Sequence, residues 1–260
     1  MISTVTTNAM LVTQKKAQLL AESTAFVAVS LDGTPESHNR NRGHPAAFQS
    51  MERGIKELRD AGVRFGFIFT LTQNNLDELA WVARYAVNQG AHLLQVHPLE
   101  DFGRAQSTLC RSVPDALELA RGFVESAHLQ EEFQGKITIQ YDVADTDVLR
   151  VEPARGFAGD LANRGLVASL EAVGLADIVS PLVVEADGTV VPLQYGIDHR
   201  FRIGEISSEK LRDEITAWKK QTLPKFLNLC DRVHKRVTQD TRVDFSFVNW
   251  YREVLHESFV

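Results

Sequence analysis

Short β-rich runs alternate with amphipathic helical stretches through the first two-thirds of the 260-residue chain. Residues 2–7 are mostly β-branched and read as a strand, followed by a helix around 13–22. Ala25–Ser30 is apolar on both faces, as in a buried parallel strand. A polar loop then precedes a helix in which Phe48, Met51, Ile55 and Leu58 recur at three- and four-residue spacing, stopped at Gly62. The cycle repeats with a strand at Val63–Leu71, an N-cap at Asn74 or Asn75, and an apolar stripe of Leu76, Leu79, Ala83 and Val87. His92–Val96 is the next strand, Val113–Ala127 a helix with Leu117, Ala120 and Val124 inward, and Ile137–Tyr141 a further strand. Strand–helix units of this length demand parallel pairing through right-handed crossovers. Either a β/α barrel or a doubly wound sheet satisfies them.

After Val179 the pattern changes. Two β runs within Pro181–Leu193 flank Asp187-Gly188, a strong hairpin signal. From about Ser208 to Val237 the chain is helical, with Ile215, Trp218, Phe226, Leu229 and Val233 packed and Pro224 kinking or splitting the stretch. The aromatic tail (Phe245, Phe247, Trp250, Tyr251, Phe259) reads as a closing helix. The expected organisation is β/α units over 1–150, a hairpin region over 151–206 and a helical extension over 207–260.

The net charge of −6 argues against generic nucleic-acid affinity and against docking on anionic membranes. No apolar run approaches the roughly 20 residues of a membrane helix, and no basic-then-apolar leader opens the sequence. Two cysteines, Cys110 and Cys230, make a disulfide framework unexpected, and a reducing cytoplasm is the default. Cys110 reads as a free thiol and Cys230 as a core residue.

The stretch Val29-Ser30-Leu31-Asp32-Gly33, with His38, Asn39, Arg42 and Gly43 following, is the most informative for chemistry. It closes a strand, and ligands in α/β folds sit at the carboxyl ends of strands. Ser30 offers a hydroxyl and Arg42 a forked cation suited to a carboxylate. The plainer reading is turn chemistry at Asp32-Gly33 and a solvated arginine. His38 and His44 read as exposed loop histidines without a third metal ligand. Asp142, Asp145 and Asp147 lack the glycine and glutamate of a calcium loop and read as solvated. No metal site is expected within the chain.

Five pieces in order resemble the radical S-adenosylmethionine (SAM) superfamily, particularly its SPASM and peptide-maturase members. They are Thr7-Asn8-Ala9, the Ser30/Asp32/Gly33/His38/Asn39/Arg42 series, Phe69–Thr72 with Asn74, His97–Glu100 with Gly103-Arg104-Ala105, and Asp187–Pro192. The resemblance spans about residues 2–206. It implies a partial (β/α) TIM-type barrel bearing a C-terminal β-hairpin and helical extension. It also implies a SAM site drawn from Thr7, Asn8, Ser30, Asp32, Arg42 and Val96, with Ser30 and Arg42 toward the amino-acid end of the cofactor and Thr7 and the family's sixth strand near its adenosine. His97 and Glu100 are candidates facing the substrate, a peptide or small molecule.

In that family a Cys-x3-Cys-x2-Cys loop holds a [4Fe–4S] cluster, and the strands carrying it precede Thr7. Cys110 and Cys230 cannot supply three thiolates, and Ser180 and Leu193 stand where hairpin cysteines of SPASM proteins are expected. The chain by itself is therefore not expected to cleave SAM reductively. A truncated record, a split enzyme with a cluster-bearing N-terminal partner, and a degenerate relic all follow, the first favoured because Met1 falls within an apparent strand. The rival functional readings are a catalytically inactive scaffold pairing with a cluster-bearing chain or precursor peptide, and an unrelated β/α-barrel enzyme using Glu100 or His97 as general acid or base.

Overall fold

The computed structural model describes residues 3–99, 112–151, 174–239 and 247–260, apart from the side chains of residues 176 and 177. Glu100, Gly103-Arg104-Ala105, Cys110 and Phe245 lie outside these residues. The chain divides into two compact units, Met1–Asp142 and Val143–Val260.

The first unit is a five-stranded parallel sheet in the order β1 (Thr4–Thr7), β2 (Phe26–Leu31), β3 (Phe65–Leu71), β4 (Leu93–Pro98) and β5 (Thr138–Tyr141). Consecutive strands lie side by side throughout, whereas a doubly wound sheet reverses its strand order at a switch point. Helices α1 (Gln14–Ser23), α3 (Ala47–Asp60), α4 (Leu79–Asn88) and α5 (Ala116–Glu132) connect the strands.

Side-chain alternation explains the core. Val27, Val29 and Leu31 of β2 are buried with Leu94 and Val96 of β4, and Ala17, Met51, Ile55, Leu79 and Leu129 of the helices join the same cluster. Phe65, Phe67 and Phe69 of β3 sit at its centre, each at most 2% exposed. A buried phenylalanine contributes about 2 kcal/mol, so this strand anchors the unit. Gly54 lets α3 approach the end of β1: a Cβ there would lie 2.0 Å from the Ala9 carbonyl oxygen.

Three sequence expectations are corrected. The polar loop before α3 is a helix, α2 (Pro35–Arg42), opened by Pro35 in its first turn and closed by Gly43 in the left-handed conformation at φ 63°. It lacks an apolar stripe because the residues it buries are Ser37 and His38. Leu117 and Val124 of α5 are exposed, at 78% and 66%, and the helix buries Gly122, Ser126 and Leu129 instead. The glycine allows Tyr141 to close on the helix, since a Cβ at 122 would meet its hydroxyl at 2.8 Å. A capping box between Asp115 and Glu118 starts α5 at Ala116, three residues later than the periodicity suggests.

The second unit begins with β6 (Ala144–Asp145) and α6 (Thr146–Val151). It continues with α7 (Leu175–Ile178) and the antiparallel strands β7 (Leu182–Val184), β8 (Thr189–Pro192) and β9 (Gly204–Glu205). Helices α8 (Leu211–Gln221) and α9 (Leu223–Gln239) follow, separated at Thr222, with Pro224 in the first turn of α9. β10 (Phe247–Val248) pairs with β6, and α10 (Trp250–Ser258) closes the unit. Val191, Leu193, Phe201, Trp218, Phe226, Leu229, Cys230, Val233 and Val254 share one core, so the strands and the helical extension form a single packed body.

Candidate functional site

β2 ends at Leu31, and the chain turns through Gly33 at φ 130°, a conformation that an L side chain resists. The Glu78 carboxylate occupies the space that a Cβ at Gly33 would need. Glu78 accepts the Thr34 N–H at 2.6 Å and the Ser37 hydroxyl at 2.5 Å, so it holds down the first turn of α2 from the 3₁₀ turn Leu76–Glu78. An anion belongs there, beside the unsatisfied amides of a helix start.

α2 then brings two side chains back to the strand end. The His38 ring is buried and its Nδ1 accepts the Asp32 N–H at 3.2 Å. Burial, the largest influence, pushes the imidazole pKa down; Asp32 opposes it and Arg42 reinforces it. The Asp32 carboxylate lies 3.7 Å from the same nitrogen, but a desolvated ring that already accepts an N–H is neutral. Its Nε2 is buried and has no hydrogen-bond partner among the described residues. Expected as a solvated loop residue, His38 instead positions Asp32; His44 is exposed.

Arg42 meets Asp32 in a two-pronged pair, Nε to Oδ2 at 2.5 Å and Nη2 to Oδ1 at 3.0 Å. Asp32 is 5% exposed. One strand further, the buried Asn75 donates to the backbone oxygens of Asp32 and Thr70 at 3.1 and 2.9 Å and accepts the Thr72 N–H at 2.7 Å. Its amide is spent in tying the ends of β2 and β3 together, so it makes no side-chain cap. Asn74 donates to the Ser112 hydroxyl at 2.9 Å.

These groups border a cavity of about 530 Å³ at the carboxyl ends of β2, β3 and β4, lined by Asp32, Arg40, Arg42, Thr70, Thr72 and Leu99 among others. That volume falls in the range of small-molecule sites. Among the described residues two arginines border it: Arg42, neutralised by Asp32, and Arg40, which donates to the Ser37 hydroxyl at 2.9 Å. The lining suits a polar ligand carrying hydroxyls and a carboxylate.

Of the residues singled out in the sequence, Asp32 and Arg42 meet in this cavity together with Thr70, Thr72, Asn74 and Leu99 of the matching pieces, whereas Ser30, Thr7, Asn8, Val96 and His97 do not line it. Ser30 is half-buried on the opposite face of β2 from Val29 and Leu31. Thr7 pairs in register with Val29, and its hydroxyl accepts the Ala9 N–H at 3.1 Å. Asn8 accepts the Met10 N–H at 3.1 Å. Val96 is buried among the helix-facing residues. Glu100 lies outside the described residues. His97 pairs with Thr70 in the β3–β4 register, and its Nδ1 lies 3.0 Å from Asp142 Oδ2, which also accepts from Gln95 at 2.5 Å. Asp142 is thus a partner of His97 and Gln95, its side chain 11% exposed, and not a solvated loop acid. Arg40, Asn75 and Glu78 were not anticipated as site residues; the Asn74-Asn75 doublet at a strand end was the one available signal. Among the described residues no cluster of three or more His, Cys, Asp or Glu side chains is placed to hold a metal ion, and no helix is long and apolar enough to cross a membrane.

Fold and site together define an α/β protein with a polar ligand cavity at the carboxyl ends of sequentially ordered parallel strands. The chain is homologous to radical SAM/SPASM-type proteins. It is 35% identical over 100 residues to the AdoMet-dependent heme synthase of Nitratidesulfovibrio vulgaris, covering 38% of this chain and 27% of that protein. It is 29% identical over 79 residues to the sporulation killing factor maturation protein SkfB of Bacillus subtilis, covering 30% of this chain and 19% of that protein. A cysteine-type anaerobic sulfatase-maturating enzyme of Clostridium perfringens is 22% identical over 239 residues, 88% of this chain and 59% of the enzyme. The structure of native anSMEcpe with bound AdoMet and the Kp18Cys peptide superposes with a TM-score of 0.59 at 18% identity, covering 99% of this chain and 72% of that one. That likeness establishes the fold. No family model matches the sequence. The chain spans about a quarter of the heme synthase it matches and under two-thirds of the sulfatase-maturating enzyme.

Proposed function

We propose that these residues form the C-terminal part of a radical SAM (β/α) barrel, and that the intact protein cleaves SAM reductively to modify a peptide or small molecule. The observation that carries this reading is the cavity at the ends of β2–β4, lined by Asp32, Arg40 and Arg42. A SAM molecule presents a carboxylate, an ammonium and ribose hydroxyls, and the cavity offers guanidinium, carboxylate and threonine groups of matching polarity. Arg42, oriented by Asp32, faces the amino-acid end, with Arg40 beside it. Ser30, Thr7, Asn8 and Val96 remain candidates for the cofactor site, and His97 and Glu100 for the substrate side.

The residues present do not fit the cluster. Three thiolates are needed, and the chain has two cysteines. Cys230 is fully buried in the second unit, its thiol pushed up to about 12 by desolvation. On this reading the cluster ligands come from residues beyond these 260, in the same polypeptide or in a partner chain. A catalytically inactive scaffold that binds a cluster-bearing partner is the second reading, favoured by the same shortage of cysteines.

Translating the DNA upstream of Met1 separates the two. An in-frame Cys-x3-Cys-x2-Cys supports one continuous enzyme, and an adjacent reading frame carrying it supports a split one. Neither motif leaves the scaffold reading. In the protein completed with its cluster-bearing part, Arg42→Ala should weaken SAM binding at least tenfold. Because Asp32 then loses its partner, Arg40→Gln serves as a second variant. Unchanged affinity in both removes the assignment.

A further inference from the structure

The second unit holds a cavity of about 550 Å³ that plays no part in the site described above, lined by Arg200, Phe201, Lys225, Arg232, Glu257 and Val260. Its charge is unusual for a chain of net charge −6. Lys225 and Arg232 lie seven residues apart on α9, two turns along one face. Arg200 arrives from the separate 3₁₀ turn His199–Phe201.

Two of the three cations are held in place. Arg200 donates to the Ser258 carbonyl, lies over the Phe201 ring at 5.2 Å, and has Asp198 3.5 Å away. Arg232 donates to Glu257 Oε1 at 3.2 Å, while Arg236 donates to Glu257 Oε2 at 2.8 Å and to Glu253 at 2.9 Å, so Arg232 shares its carboxylate with a second guanidinium group. Lys225 has no ion-pair partner among the described residues. It sits in the first turn of the 17-residue α9, which has no acidic residue there. A cation at that position opposes the helix dipole, and two further cations border the same space. The lining thus holds three cations and one carboxylate, Glu257, and Lys225 is exposed to water.

We propose that this cavity is a binding site for a small oxyanion, a phosphate or carboxylate group, held by Lys225, Arg232 and Arg200. The chemistry is charge-assisted hydrogen bonding from preorganised donors, for which arginine forks and a helix start are suited.

The test is thermal unfolding of the full chain titrated with inorganic phosphate and, separately, citrate, against potassium chloride at matched ionic strength. A saturable rise in melting temperature beyond chloride is expected. The more effective anion tells a phosphate site from a polycarboxylate one. Without added anion, Lys225→Glu should raise the melting temperature by relieving the helix start, and it should abolish the anion response. Lys225→Gln, an exposed change that leaves no charge unpaired, should weaken the response at least fivefold, and Arg232→Gln should do the same. A wild-type response no greater than that of chloride overturns the site, and so does an undiminished response in Lys225→Glu.

Discussion

The Arg42 guanidinium grips the Asp32 carboxylate with two nitrogens, at 2.5 and 3.0 Å, and thereby fixes the mouth of the cavity at the end of β2. The two partners are unequally buried: 8% of the Asp32 side chain is exposed against 29% of Arg42. Removing the arginine strands a desolvated carboxylate, while removing the carboxylate frees an arginine that can reach water. Arg42→Gln should therefore cost about 3 kcal/mol and Asp32→Asn less, about 1–2 kcal/mol. Urea unfolding of both variants checks the order, and a larger loss in Asp32→Asn contradicts it.

His38 links stability to pH. Burial lowers its folded-state pKa below the ordinary histidine value of 6.5, so the unfolded chain takes up the proton first. This contribution to stability is complete above about pH 6.5 and is lost as pH falls from there through the folded-state value. His38→Gln, whose amide oxygen can accept the Asp32 N–H, should flatten that part of the profile. Chemical denaturation between pH 5 and 8 measures it; an identical slope in the variant refutes the assignment.

Gly54 is required by proximity. A Cβ would strike the Ala9 carbonyl at 2.0 Å, and that contact is to backbone, which cannot swing aside. Gly54→Ala should destabilise the protein by about 1–3 kcal/mol despite the higher helix propensity of alanine. Thermal unfolding decides, a rise in melting temperature being the opposing result.

Cys230 should resist alkylation. With its thiol pushed up to about 12 by burial, almost no thiolate exists near neutral pH. Mass-spectrometric mapping after iodoacetamide should find Cys230 unmodified in the native protein and modified in denaturant. Native labelling at the denatured rate contradicts its place in the core.

The strand–helix alternation was legible because buried strands and helix faces leave periodic apolar marks: Phe48, Met51, Ile55 and Leu58 all face the core. Where polar or very small residues do the packing, that signal fails. α2 buries a histidine and a serine and so passed for a loop, although Pro35 and Gly43 marked its ends. In α5 the true inner face runs through Gly122 and Ser126, and no apolar count finds it. At the site, Asp32 and Arg42 were identifiable as residue types at a strand end. The bridges made by Glu78 and Asn75 span 44 and 43 positions in sequence, and only the folded chain brings such pairs together.

Amide hydrogen exchange, followed with and without SAM in the protein completed by its cluster-bearing part, is the most direct measurement of the proposed ligand. Slower exchange is predicted at the amides of residues 32–42 and 70–75, which frame the cavity. Protection confined to other segments, or absent at saturating SAM, contradicts a cofactor site at the ends of these strands.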